Sequence, residues 1–157
     1  MSFIKKHKSL ILFLVITVIF CITSFLVRDI LIQHLNNHNF GLFSVDYIKN
    51  YGAAFSLLHT HTSLLIVVSS IILVYILWYI INNIAKFSSS DLFFSSLLCS
   101  GIVCNLLERL LDGFVTDYIR INFVSFPIFN MSDLFISIGA FMLICNILFN
   151  NETDKQL

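Results

Sequence analysis

The chain has 157 residues, 58% of them hydrophobic and only 11% charged, with no formal net charge. Soluble domains run about 45–50% apolar and about 25% charged, so the composition excludes an ordinary water-soluble enzyme and points to an integral membrane protein. No basic stripe exists to neutralise phosphates, which excludes nucleic acid as a partner, and the length leads us to expect one membrane domain over residues 1–157.

The chain opens on "MSFIKKHKS", with Lys5, Lys6 and Lys8 ahead of an apolar run over residues 9–27. A hydrocarbon core about 30 Å thick takes about 20 helical residues, so this run is long enough to span it. The basic cluster sets the N-terminus in the cytoplasm. A basic start and an apolar run are also the form of a secretory signal, but Phe20 precedes Cys21 where cleavage needs a small residue. It is read as an uncleaved first span. In "GLFSVDYIKN", Phe43, Val45 and Tyr47 alternate with Ser44 and Asp46, the period of a strand. Further spans are expected over residues 62–81, 92–111 and 131–149, the first two of these joined by the polar connector "NNIAKFSSSD". An even span count returns the C-terminus to the cytoplasm and leaves 28–61 and 112–130 outside. Cys21, Cys99, Cys104 and Cys145 all fall within spans and read as small hydrophobes. His59 and His61 beside the second span lack the further ligands a metal site would need.

The third span ends in "SGIVCNLLERLLDG", where Gly101, Asn105, Glu108 and Asp112 recur at helical spacing, with Arg109 four after Asn105. Such a stripe must face protein or water rather than lipid, and Arg109 with Glu108 or Asp112 reads as an interfacial ion pair. The run "VTDYIRINF" then alternates as a strand, placing Asp117 among Val115, Ile119, Ile121 and Phe123 on one face. Burial there would raise its pKa and suit it to carry a proton; at a wet strand end it would be ordinary. "FPIFNMSD" stops that strand at Pro127 and starts the fourth helix, with Asn130 as N-cap and Asp133 at N3. An acid at N3 is commonly a cap, yet an ionisable residue at the edge of a span is a functional candidate, and its partner here is Asp117.

Three boxes then carry a resemblance. "KNYGAAFSLL" resembles the Asn-x-Gly-x-Ala-Phe box of bacterial lipoprotein (type II) signal peptidases. "CNLLERLLDGFVTDYI" resembles their Gly-Asn-x-x-Asp-Arg…Gly-x-Val-x-Asp-Phe box, and "FPIFNMSD" their Phe-Pro-x-Phe-Asn-x-Ala-Asp box. The resemblance implies four transmembrane helices, with a small periplasmic β-cradle and helix built from the 1–2 and 3–4 connections. It implies an aspartic endopeptidase of the bacterial inner membrane, active at the periplasmic face, that removes the signal peptide of diacylated prolipoproteins, with membrane lipid as its other partner. The enzyme would cut before the lipidated cysteine, act as a monomer, and need no metal or organic cofactor. By motif position Asp117 and Asp133 match the catalytic pair, and Asn50, Gly52, Asn105, Glu108, Arg109, Asn130 and Arg28 match supporting or substrate-binding residues.

The sequence departs from that pattern at several points. The Asp-x-x-x-Lys of the family's first helix is Ser24 and Arg28 here, the Gly before the Asn is Cys104, the Asp before the Arg is Glu108, and the Ala before the last Asp is Ser132. These changes leave the aspartates in place but allow an alternative, a catalytically inactive relative that binds lipidated signal peptides. A four-span thiol oxidoreductase would need paired cysteines at one surface, and a transporter subunit would need polar residues at mid-bilayer. Neither pattern is present.

Overall fold

A computed structural model describes residues 2–52 and 62–153. Helix α1 runs Ser2–Leu35, strand β1 His38–Asn39, strand β2 Phe43–Asn50 and helix α2 Thr62–Asn83. A 3-10 turn, Ile84–Lys86, leads to α3 (Ser89–Leu111), then β3 (Val115–Ile121) and α4 (Met131–Thr153). All four helices are long and apolar enough to cross a membrane. The architecture is thus a four-helix membrane protein with one small sheet made from the 1–2 and 3–4 connections.

α1 extends well past its apolar run, to roughly 50 Å at the usual helical rise. Arg28 and Asp29 end the hydrophobic stretch but do not break a helix, and neither Pro nor Gly occurs before Gly41. The helix stops at Asn36–Asn37, where Asn37 takes a left-handed conformation with φ of 63°. α3 begins on a reciprocal cap. Ser88 Oγ accepts the Asp91 N–H at 3.1 Å, and Asp91 accepts the Ser88 N–H at 2.9 Å. It ends at Gly113, whose φ of 81° lets the chain turn directly into β3, a conformation that costs a side-chain-bearing residue energy.

α3 is the central helix. Within its apolar window 56% of residues are buried, against 11%, 6% and 17% for α1, α2 and α4, whose large side chains face outward as lipid-facing surfaces do. Its buried positions include Ser95, Ser96, Cys99, Ser100, Gly101 and Cys104, small residues that let backbones approach closely where lipid gives helices little hydrophobic reason to associate. At the α3–α4 crossing a Cβ on Gly101 would lie 2.4 Å from the Ser132 carbonyl oxygen, so the two helices touch backbone to backbone. Away from the sheet, Phe13, Ile80, Ile84, Leu92 and Cys99 form the apolar cluster that ties α1 and α2 to α3.

The sheet is antiparallel in the order β1-β2-β3. Val45 pairs with Ile119, but Ile48 pairs with Asp117, so β2 carries one extra residue between them. Beyond β3, residue Phe129 bonds back to Tyr118 and Ile119, which brings the start of α4 alongside the strand.

Candidate active site

The bulge in β2 decides which residue stands beside Asp117. Side chains paired across a strand share a face, so before the bulge Phe43 and Val45 share the face of Ile121 and Ile119. After it, Ile48 and Asn50 share the face of Asp117 and Val115, and Lys49 goes to the other side, where its Nζ lies 4.7 Å from the Phe114 ring centre. Asn50 Nδ2 donates to Asp117 Oδ2 at 2.8 Å, while its Oδ1 accepts the Gly52 N–H at 2.9 Å and so fixes the amide's orientation. The simple alternation expected through Tyr47 therefore holds only as far as the bulge.

Asp117 is 3% exposed, which settles its environment as a buried face rather than a wet strand end. Its Oδ1 accepts Asn130 Nδ2 at 2.9 Å. Asn130 is the N-cap expected for α4. Its Oδ1 accepts the Asp133 N–H at 2.9 Å, and Asp133 Oδ2 accepts the Asn130 N–H at 3.2 Å, a complete capping box. The other Asp133 oxygen accepts Asn105 Nδ2 at 2.7 Å, and Asn130 Nδ2 reaches Asn105 Oδ1 at 3.3 Å. Asp133 is thus a cap and a cleft residue at once, and the two carboxylates are joined through two amides. Tyr118, which sequence reasoning passed over, is buried at 1% exposure, and its hydroxyl accepts the Met131 N–H at 3.1 Å, holding β3 to the first turn of α4.

Both aspartates line a cleft of about 830 Å³ with Asn50, Asn105 and Arg109 at its polar end. Ile121, Phe126, Leu134 and Ile136 supply apolar wall. Burial pushes the Asp117 carboxyl up to about 7, and the Asp133 carboxylate adds to the shift; the amides of Asn50 and Asn130 and the Arg109 guanidinium oppose it. Arg109 donates to the carbonyls of Asn105 at 3.3 Å and Gly52 at 3.0 Å. Its buried Nε has no hydrogen-bond partner among the described residues.

The ion pair expected of Arg109 is formed otherwise. Glu108 pairs with Arg28 of α1 at 2.8 Å, and its second oxygen accepts the Thr116 N–H at 2.6 Å. Asp112 is exposed. Position three or four along a helix identifies neighbours on that helix, whereas the nearer cation came from α1. Asn50, Gly52, Asn105, Arg109 and Asn130 all gather at or beside the aspartates; Glu108 and Arg28 stand behind them. Ala54 and Phe55 of the first box, and His59 and His61, lie outside the described residues.

Four spanning helices and a sheet that carries one buried carboxylate to the mouth of another helix define a polytopic membrane protein with a polar site at one end of its bundle. Residues 11–149 match the family described as Signal peptidase (SPase) II. The lipoprotein signal peptidase of Lactococcus lactis subsp. lactis (strain IL1403) is 34% identical over 112 residues, 70% of this chain and 72% of that one. That of Streptococcus thermophilus (strain CNRZ 1066) is 34% identical over 117 residues, 74% of each. A solved bacterial membrane enzyme shares the fold with a TM-score of 0.79 over 90% of both chains at 24% identity. The chain belongs to the signal peptidase II family, the peptidases of lipoprotein maturation.

Proposed function

We propose that the protein is an aspartic endopeptidase that removes the signal peptide of diacylglyceryl-modified prolipoproteins, cutting before the lipidated cysteine, with Asp117 and Asp133 as its catalytic pair. The observation that carries this reading is the junction of the two carboxylates through Asn130 and Asn105 at the polar end of one cleft. Two carboxyls so placed share a proton and titrate as a pair. The ionised one takes a proton from water, whose oxygen adds to the scissile carbonyl; the protonated one donates to the carbonyl oxygen as it gains charge. The tetrahedral intermediate collapses when the leaving amine receives a proton, releasing the signal peptide and a new lipidated N-terminus. The chemistry calls for no metal or organic cofactor.

Asn50, Asn105 and Asn130 hold the carboxylates, and Arg109 lines the same end of the cleft with a positive charge. The apolar cleft wall suits a substrate whose signal helix and lipid both lie in the bilayer. In this reading the protein works as a monomer in the bacterial cytoplasmic membrane, with both termini in the cytoplasm and the cleft at the outer face. The test is cleavage of a diacylglyceryl-modified prolipoprotein by the purified protein in lipid bilayers, read by mass spectrometry. A product beginning at the lipidated cysteine, with the unmodified precursor left intact, is expected. Binding of the modified precursor without any cleavage would instead make the protein an inactive relative.

A further inference from the structure

Among the described residues none that lines the cleft comes from α1, yet α1 reaches both aspartates from behind. Ser24 and Arg28 lie one turn apart on one face of the helix. Ser24 Oγ and Ser132 Oγ are 2.8 Å apart and both buried, and Ser132 is the residue before Asp133. Arg28 Nη1 donates to Glu108 Oε1 at 2.8 Å, and Glu108 Oε2 accepts the N–H of Thr116, the residue before Asp117. Each aspartate is therefore anchored one residue upstream, by two links that start four residues apart on a single helix. We propose that this face of α1 sets the separation of Asp117 and Asp133, with Ser24 and Arg28 as positioning residues; the claim rests on the aspartates being the catalytic pair.

The links are of a kind that holds position. A hydroxyl pair inside a bundle has little water to exchange with, and a buried carboxylate accepting both a guanidinium and a backbone N–H is a short, charge-assisted anchor. Arg28 is itself braced by Asp29 at 2.8 Å and by the Phe25 ring at 5.0 Å. Among the described residues the charges around Asp117 are few. Asp133 faces it from α4 and Arg109 from α3, Glu108 on α3 is paired by Arg28, and Lys49 of β2 lies on the opposite sheet face. Since the repulsion between two carboxylates falls with distance, loosening either anchor weakens the influence of Asp133 on Asp117. The alkaline limb of activity then moves to lower pH.

The test compares Ser24→Ala, too mild a change to unfold the protein, with Arg28→Met/Glu108→Gln, which leaves no unpaired buried charge and keeps an acceptor for Thr116. With a diacylglyceryl-modified prolipoprotein, kcat per folded molecule should fall a few-fold for the first and about tenfold or more for the second, the scale of sub-ångström misplacement. KM should stay within about twofold, because α1 does not line the cleft, and the alkaline limb should shift acidward in both. Lowered melting temperature with an unchanged kcat and pH profile would overturn the proposal, since that is all a structural bond can do. A rise in KM at constant kcat would overturn it too. Asp117→Asn, run alongside, should be inactive; turnover by that variant would instead remove the catalytic reading itself.

Discussion

Asn130 shows how much one side chain carries. It caps α4, donates to Asp117 and reaches Asn105. Asn130→Asp keeps a good N-cap but sets a third carboxylate against Asp117 in place of a donor. Helix content by circular dichroism should be unchanged while kcat falls by about a hundredfold or more, as expected when a preorganised donor becomes a repulsive acceptor. Asp117 also makes a thermodynamic prediction. Its folded pKa is raised from 3.8 to about 7, so its protonated form is favoured on folding, and that contribution is present below 3.8 and lost as pH rises to about 7. The melting temperature of Asp117→Asn relative to wild type should therefore climb between pH 4 and pH 7, whatever constant offset the altered amide contacts bring. A difference that stays flat with pH would contradict the buried-carboxyl account. The cap and both aspartates were legible in "FPIFNMSD" and "VTDYIRINF", because capping and alternation are local rules. The bond from Asn130 to Asp117 was not, because it depends on Phe129 folding back against β3.

Among the elements, the helices were the readiest to read, since an apolar run of spanning length has few alternatives in a bilayer. The length of α1 was not, because charge ends hydrophobicity without ending a helix. The bulge in β2 was hidden for a different reason: its register is set by β3, more than sixty residues away, and the pattern in "GLFSVDYIKN" carries no Gly or Pro at the point of insertion. The α3–α4 crossing gives the sharpest test at this scale. Gly101→Ala would put a methyl 2.4 Å from the Ser132 carbonyl oxygen and 2.7 Å from an Ile136 side-chain carbon. The backbone oxygen cannot yield without moving α4, so the variant should lose about 1–3 kcal/mol of stability as overpacked cores do. Activity should fall as well, because Asn105 and Asp133 meet one turn from this contact. A fully active Gly101→Ala with wild-type melting temperature would mean that the crossing is looser than its geometry.

For the molecule as a whole, the sheet and the cleft sit at one end of the bundle, and from the basic N-terminus we expect that end to lie outside the cell. Single cysteines at Asn37 and Asn122 are expected to react with an impermeant thiol reagent added outside intact spheroplasts, and one at Ser89 is not. Labelling of position 89 from outside would invert the arrangement and put the aspartates on the wrong side for a secreted substrate. The expected orientation rests on Lys5, Lys6 and Lys8 and is what this labelling tests, whereas the convergence of Asn50, Asn105 and Asn130 on two aspartates depends on four elements meeting in space. The measurement that bears most directly on that convergence is cleavage of a diacylglyceryl-modified prolipoprotein by Asp117→Asn, Asp133→Asn and the double variant. Asparagine at 133 still caps α4, but at neither position can it cycle a proton. Each single variant should be inactive while folded, and the double scarcely worse than either, as for two groups that share one task. Substantial turnover by a folded single variant would contradict the account.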